Sequence, residues 1–532
     1  MPTRHRVLRN LYRDSVTLMQ LSSEIGSLEG VSQAFAFMGT PANLDLLRDS
    51  GVSIEGIQAK PNDLVIAVEA SGDNAANAAL DRAEEQLRKE APETETAAQP
   101  TVPRSIAMGV KELPDANLAL ISTPGEYAAA EGLKALGKGL HVMMFSDNVS
   151  LEDEIRLKRM AHERGLLMMG PDCGTAIING TPLGFANVVR RGGIGIIGAS
   201  GTGVQQVTSL IDQWGGGISQ AIGTGSRDLN EAVGAITMLD ALDALAQDRS
   251  TRVIVLISKP PSPRVAEQVL ARARQARKPV VIDFIGSTVR PDAPGIHVVD
   301  TLDEAAAEAT LLGGGSIPEM RPRDPSAGQD FGFAPGQLYL RGLFSGGTFS
   351  YESTLLLQRE LGPIYSNTPV RPDLKLADPW KSREHTTVDL GDDEFTRGRP
   401  HPMIDYRLRV ERMLQEAKDP SVALILLDVV LGYGSHPSPA EVLVPAVERA
   451  RKAAKRGRRN LVFVASVCGT DRDPQQLSRQ QSALERAGVI LGRSNAEAAR
   501  LAARVLCSLE GNVCHNGREG REHAGERGVS EG

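Results

Sequence analysis

Aromatic side chains are scarce in this chain: Phe, Trp and Tyr make up 4% of its 532 residues. A surface that binds nucleic acid by stacking bases needs more of them. Positive charge is also lacking. The formal net charge of −7 argues against a broad interface with a phosphate backbone. Cysteine is rare, with four residues at Cys173, Cys468, Cys507 and Cys514, which excludes a disulfide framework and makes the cytoplasm the expected compartment. No apolar run is long enough to cross a bilayer. The first residues, "MPTRHRVLRNLYRDS", are basic but lack the apolar centre of a signal peptide. Neither a membrane nor a nucleic acid is an expected partner. Cys507, Cys514 and His515 form an incomplete ligand set, so no metal site is expected.

Glycine is plentiful, at 54 residues, while the hydrophobic content of 41% and charged content of 23% are ordinary for a globular protein. The length exceeds what one core can fill and implies three to five domains. Residues 1–100 read as a small α/β domain, with strands "QAFAFMG" and "DLVIAVEA" and helices at 40–51 and 74–90. A linker, "APETETAAQPTVP", follows. Residues 101–190 alternate apolar strands ("ANLALIS", "HVMMFS", "GLLMMG") with helices, the pattern of a parallel sheet covered on both faces. The same alternation fills 191–312. A second linker spans 313–334, a fourth α/β unit 335–506, and a Gly-, Glu- and Arg-rich tail, expected to be disordered, 507–532. The third and fourth units share the order strand, Gly-rich turn, helix, then later helix and strand. They read as an internal repeat of two doubly wound domains.

The Gly-rich turns are the candidate anion sites. In "GIGIIGASGTGVQQV", Ser200, Gly201, Thr202 and Gly203 join a strand to a helix. In "LYLRGLFSGGTFSYES", Ser345, Gly346, Gly347 and Thr348 hold the matching place. A helix start offers unpaired N–H groups and the positive end of its dipole to an anion. The bland alternative is a tight capped turn, common in any parallel α/β fold. If the two domains face each other, both helix starts converge on one point, which suits a phosphate group. Loops near the strand ends add substrate-binding candidates: Gly225, Arg227 and Asp228 in "AIGTGSRDLNEA", and Asp389, Arg397 and His401 in "DLGDDEFTRGRPHPMID". For each residue, a solvated loop charge is the competing reading. Asp172 and Cys173 sit in the tight turn of "MGPDCGTAI". Cys173 lacks an evident base to activate it, which favours a structural or ligand-contacting turn.

Together these motifs resemble succinyl-CoA synthetase over roughly residues 105–505. The segment from "ALISTPGEYAAAEGLKALGKG" through "MGPDCGTAI" is similar to the CoA-binding domain of its α subunit. "GIGIIGASGTGVQQVTSLI" is similar to that subunit's second domain, and the fourth unit to the carboxy-terminal domain of the β subunit. The tandem arrangement in one chain, together with "LMQLSSEIGSLEGVSQAFAFMGTPANLDLL", "MFSDNV" and "GPDCGTAI", resembles the FdrA family and its oxamate carbamoyltransferase subunits more closely. The resemblance implies a Rossmann-like CoA-binding domain, two flavodoxin-like ligase domains and the small N-terminal domain.

The ligase resemblance also shows what is missing. Succinyl-CoA synthetases carry phosphate on a His in a Gly-His-Ala-Gly loop after the strand written here "KPVVIDFIGS". In this chain "TVRPDAPGIHVVDTLDEA" follows, and His297 stands where the next strand should begin. An ATP-grasp domain is absent as well. No phosphohistidine equivalent is assigned. The FdrA resemblance implies phosphorolysis of an N-carbamoyl compound such as oxalurate to oxamate and carbamoyl phosphate. Phosphate would be a substrate, and other carbamoyltransferase subunits would be partners in a hetero-oligomer. CoA and Mg2+ remain cofactor candidates. The region "TVPRSIAMGVKELPDAN" lacks the Gly-x-x-Gly turn that holds CoA phosphates in the ligases, with Arg104 and Lys111 as the side chains able to compensate. Weak CoA binding is therefore expected. Two alternatives stand beside this reading. One is an ADP-forming acyl-CoA synthetase with a separate nucleotide-binding chain, and the other a non-catalytic CoA- or metabolite-binding scaffold.

Overall fold

The computed structural model describes residues 2–13, 15–40, 43–44, 47–48, 56–89, 103–291, 293–318, 330–397 and 399–510. The expected linker at 91–102, part of the helix expected at 40–51, much of the second linker, and the tail with Cys514 and His515 lie outside these residues.

The N-terminal unit runs β1 (Thr3–Leu8), α1 (Ser15–Gly26), β2 (Val31–Met38), β3 (Leu64–Ala70) and α2 (Asp73–Lys89). Its sheet is antiparallel in the order β1-β3-β2, with β3 inserted between the two strands that α1 connects. The apolar face of β3 packs on Leu18, Leu21, Ile25, Leu80 and Leu87 of the two helices.

The second unit contains α3 (Ile106–Glu112), β4 (Leu118–Ile121), α4 (Gly125–Gly137), β5 (His141–Met144), α5 (Leu151–Glu163) and β6 (Met168–Met169). Its parallel sheet has three strands, β4-β5-β6, so the Rossmann outline is present only in part. Ser150 caps α5 by accepting from the Asp153 N–H, and Glu152, Asp153 and Glu154 in the first turn favour the helix dipole.

The third unit begins earlier than the boundary expected at residue 190. The hairpin β7 (Thr175–Ile178) and β8 (Thr181–Gly184) pairs antiparallel onto the sheet of the following strands. Those are β9 (Arg191–Gly198), β10 (Ile218–Gly223), β11 (Val253–Ser258), β12 (Val280–Phe284) and β13 (Ile296–Val298), with helices α6 (Gly201–Gln213), α7 (Ile236–Gln247), α8 (Pro263–Ala273) and α9 (Leu302–Leu312). The order is β13-β12-β11-β9-β10-β7-β8. Hairpin strands are too short to show the periodicity that would have assigned them.

The fourth unit comprises β14 (Tyr339–Phe344), α10 (Gly347–Leu361), β15 (Tyr365–Ser366), β16 (Thr386–Asp389), α11 (Asp393–Thr396), α12 (Arg407–Glu416), β17 (Val422–Val430), α13 (Pro439–Arg456), β18 (Val462–Cys468), α14 (Leu477–Arg486), β19 (Ile490–Gly492) and α15 (Asn495–Glu510). All pairings in its sheet are parallel, in the order β15-β16-β14-β17-β18-β19. Strand order β10-β9-β11-β12-β13 in the third unit corresponds to β16-β14-β17-β18-β19 here. Both are the doubly wound 2-1-3-4-5 arrangement, so the internal repeat is real at the level of topology.

One hydrophobic core joins the two doubly wound units. It combines Val204, Val207, Leu210 and Ile211 of α6, Leu302, Ala305 and Ala309 of α9, Phe349 and Leu357 of α10, and Ala499, Ala502 and Leu506 of α15. Each buried Leu, Ile, Val or Phe contributes about 1.5–3 kcal/mol, so the two units are held as one body. This packing brings the amino ends of α6 and α10 together.

Candidate functional site

At the carboxyl end of β9 the chain turns through Ser200 into α6. Ser200 caps the helix, its Oγ accepting from the Gly203 N–H at 2.9 Å. At the carboxyl end of β14 it turns through Ser345 and Gly346 into α10. The two turns meet directly. Ser200 Oγ and Thr348 Oγ1 are 2.5 Å apart and hydrogen-bonded. A Cβ on Gly346 would lie 2.7 Å from Thr202 Cγ2, so only glycine permits this approach. The expected convergence of the two helix starts is present.

The two turns use their amides differently. Ser345 N–H, Ser345 Oγ and Gly346 N–H all donate to the Asp428 carboxylate at 2.9–3.1 Å. Asp428 is fully buried on β17 and also receives Arg409 Nη2 at 2.7 Å. Ser345 and Gly346 are therefore committed to a protein carboxylate and do not offer their donors to a ligand, which corrects their assignment as anion-binding residues. The N–H groups of Gly201, Thr202, Gly347, Thr348 and Phe349 make no hydrogen bond with any described residue. They form a small field of donors at the junction, with Ser200, Gly201 and Gly347 at its partly exposed rim.

Asp389, at the end of β16, flanks this field. A Cβ on Gly347 would meet Asp389 Oδ2 at 2.5 Å, and Asp389 Oδ1 accepts the Gly391 N–H at 2.9 Å. Burial pushes its carboxyl up to about 6, against the pull of the Lys259 ammonium and the Gly391 N–H. Lys259 follows β11 directly and is exposed at the same strand ends, 5.5 Å from the centroid of the Tyr351 ring. His401 lies close by. A Cβ on Gly391 would be 2.9 Å from His401 Nε2 and 3.2 Å from Asp389 Oδ1. Asp389 and His401 are thus brought together, whereas Arg397 lies exposed at the end of α11.

The loop after β10 plays another part. Lys158 of α5 is fully buried, its Nζ 2.6 Å from Asp228 Oδ1, 2.9 Å from Thr224 O and 3.0 Å from Glu154 Oε1. Asp228 also accepts from the Thr237 and Met238 N–H groups at the start of α7. Arg227 bridges Glu154 Oε2 at 2.9 Å and Val149 O at 2.8 Å. Arg227 and Asp228 therefore fasten the second unit to the third; Asp228 is fully buried by these contacts, whereas the Arg227 side chain stays 41% exposed. Gly225 (φ +86°) packs on Gly170 and Pro171, where a Cβ would meet Pro171 O at 2.3 Å. Cys173 is buried, donates to Gly223 O at 3.4 Å, and has its thiol pushed up to about 12 by burial, so it is inert. Asp172 is solvent-exposed, in the turn after β6. The protein packed around it pushes its carboxyl up to about 6, opposed by Ser226 and reinforced by Asp147 and Asp393.

A cleft of 590 Å³ opens at the carboxyl ends of β4 and β5. Tyr12 and Gln20 of the N-terminal unit wall one side, Ser122, Thr123 and Phe145 of the second unit another, and Phe185 and Gly434 close it. Phe185 carries the wall to His401, at 5.9 Å between ring centroids, so the cleft leads toward the junction. A second cavity of 350 Å³ lies between α7 and α8, against Arg272 and Lys278. It is away from the strand ends where open α/β sheets bind ligands.

Residues 1–103 match the family model described as AllF, heavy metal-associated domain; residues 190–286 match the CoA binding domain; and residues 343–505 match the CoA-ligase family. The Escherichia coli (strain K12) protein YahF is 43% identical over 516 residues, covering 94% of this chain and 98% of its own. The chain belongs to the FdrA family. The mitochondrial succinate–CoA ligase [ADP-forming] subunit alpha-2 of Trichomonas vaginalis is 31% identical over 185 residues, 33% of this chain and 59% of that subunit. A dinucleotide-forming acetyl-coenzyme A synthetase 1 of Ca. Korarchaeum cryptofilum, solved with phosphate and ADP, covers 78% of this chain at 16% identity and a TM-score of 0.34.

Two features of this FdrA chain bear on those names. The CoA-binding model falls on the third unit, not on the second unit to which the CoA-binding outline was assigned. The heavy-metal model covers a segment with no cysteine and one histidine, His5. Soft metals need thiolate or clustered imidazole ligands, so these residues do not fit a heavy-metal site. Among the described residues, no group of three or more His, Cys, Asp or Glu side chains is placed to hold a metal, and no helix is long and apolar enough to cross a membrane. His297 lies on β13, opposite Val281, with Nδ1 2.8 Å from Glu308 Oε1.

Sequence reasoning missed Asp428 and Lys259. Both left a signal: a lone carboxylate inside the apolar run "VALILLDVV", and a lysine placed directly after a buried strand.

Proposed function

We propose that this FdrA-family chain is the phosphate-binding subunit of a carbamoyltransferase that works with partner subunits on a succinyl-CoA-synthetase-like scaffold. The observation that carries this reading is the field of five unpaired amides at the facing starts of α6 and α10, with the Asp389 carboxyl beside it. Such a field stabilises the charge of a bound phosphate and holds it in position for attack. A phosphate oxygen bonds to the carbamoyl carbon of an N-carbamoyl compound such as oxalurate, and the carbon–nitrogen bond breaks. The leaving nitrogen takes a proton from Asp389, and the phosphate returns one. Oxamate and carbamoyl phosphate result. An acid pushed up to about 6 is suited to that transfer near neutral pH. His297 in a strand, rather than in a Gly-rich loop, fits a reaction in which phosphate is a substrate and no histidine carries it.

The experiment is phosphate-dependent release of carbamoyl phosphate from oxalurate by the chain with its partner subunits. ADP formation that requires CoA would instead establish an acyl-CoA synthetase with a borrowed nucleotide chain, the second reading, which the CoA-binding and CoA-ligase matches favour. Calorimetric titration adds a check, with weak CoA binding expected. CoA binding at low micromolar concentration moves acyl-CoA chemistry to first place.

A further inference from the structure

We propose that His401 donates a hydrogen bond from Nε2–H to the carbonyl oxygen of the group transferred at the junction. The role rests on the phosphorolysis reading above and specifies which side chain polarises the carbamoyl carbon.

The argument begins with the tautomer. His401 Nδ1 accepts the Met403 N–H at 3.2 Å, while its backbone carbonyl accepts from Ile404 and Asp405 at 2.8 and 3.0 Å. A ring nitrogen that accepts a backbone N–H carries no proton of its own, so in the neutral ring the proton is on Nε2. That nitrogen makes no hydrogen bond with any described residue. It faces the bare side of Gly391, where the site of an absent Cβ lies 2.9 Å from Nε2, 2.9 Å from Ser345 O and 3.2 Å from Asp389 Oδ1. The unpaired Nε2–H and the Asp389 carboxyl are therefore neighbours across Gly391, next to the turn that starts α10.

The ring is also fixed. It packs on Phe185 at 5.9 Å between centroids, and Phe185 packs on Phe145 of the second unit at 5.5 Å. Burial, aided by the nearby Arg409 guanidinium, pulls the imidazole down to about 4. A ring that stays neutral cannot give up a proton to a leaving group at neutral pH, but it can donate a hydrogen bond to developing negative charge. The labour divides accordingly. Asp389 moves the proton, and His401 receives the carbonyl oxygen while the phosphate–carbon bond forms and the carbon–nitrogen bond breaks. The substrate class this recognises is a small planar carbonyl compound whose leaving group is an amide nitrogen.

The test uses the full chain with its partner subunits, oxalurate and phosphate. His401→Phe keeps the ring contact with Phe185 and deletes the donor. Its kcat should fall by about 100- to 1000-fold with the KM for phosphate little changed, the range for loss of one oxyanion donor. His401→Gln, which restores an N–H, should recover about tenfold of that loss and keep the wild-type alkaline limb of the pH–rate profile, which the Asp389 acid sets. A His401→Phe enzyme within about threefold of wild type overturns the proposal, as does loss of the alkaline limb in His401→Gln. Nitrogen-15 NMR of the histidine-labelled wild-type chain separates this from the wider reading. A neutral Nε2–H signal for His401 near pH 7 that shifts on adding carbamoyl phosphate supports the role even if no oxalurate is turned over. An Nδ1–H or imidazolium signal, or no shift, refutes it even if carbamoyl transfer is found.

Discussion

The turns at 200–203 and 345–348 have nearly the same composition, the same place after a first strand and the same helix behind them, yet they hold their surroundings differently. The first is closed by its own serine, which caps Gly203 and touches Thr348. The second is anchored from below by Asp428, which takes both amides before the helix and the serine hydroxyl between them. A motif that reads as an anion site can be satisfied by the protein's own carboxylate. What separates the two is a single charged residue in the neighbouring strand, which the turn sequence does not contain. The amides left open are one step further on, inside the helices.

Removing the anchor should have the largest effect. Asp428→Ala leaves the Arg409 guanidinium buried without its carboxylate and orphans the Ser345 and Gly346 donors. Unfolding by denaturant should show a loss of about 3–5 kcal/mol, the usual cost of breaking a buried pair. A loss below about 1 kcal/mol would mean that the second turn is held as the first is, by local capping.

Asp389 provides a pH test of the same asymmetry, because at the matching place beside the first turn, the end of β10, stands Gly223. Its folded value of about 6 lies above the unfolded carboxylate value. The folded state therefore binds the proton more tightly. The protein is favoured by this group at low pH, and that advantage is lost as pH rises from roughly 4 to 6, by about 3 kcal/mol at most. Asp389→Asn should remove this slope from the melting temperature measured against pH, and should abolish carbamoyl transfer. An unchanged slope would show that the carboxyl is not shielded as described.

Glycine substitutions compare the turns more finely. Gly346→Ala drives a methyl into Thr202 and should cost about 1–3 kcal/mol while weakening phosphate binding measured by calorimetry. Gly201→Ala meets only Thr175 Oγ1, at 3.4 Å, and should change stability by less than about 0.5 kcal/mol. Between them lies Ser200→Ala, which loses one cap and one contact with Thr348 and should cost about 1 kcal/mol in thermal unfolding. Equal costs at Gly346 and Gly201 would show that the two turns do not touch in solution.

The division of the chain into strand–helix units, the repeat of third and fourth units, and the two Gly-rich turns were legible in the sequence. Long apolar strands buried on both faces and glycines at strand ends leave local patterns. The 175–184 hairpin was not legible, because its strands are four residues each and their partner, β10, comes forty residues later. The ion pairs of Arg227 and Asp228 were not legible for the same reason. Their partners, Glu154 and Lys158, stand some seventy residues earlier on a helix whose charged face looks solvated from its sequence alone.

By itself, the sequence determined the α/β class, the doubly wound repeat and the identity of the residues that start α6 and α10, because propensity, periodicity and capping act over a few neighbouring positions. Only the tertiary structure decided which amides remain open, which carboxylates are spent on structure, and that His401 stands beside Asp389. Burial and hydrogen bonding are settled by which elements pack together. The contact between Ser200 and Thr348 joins residues 148 positions apart, and no local pattern encodes it.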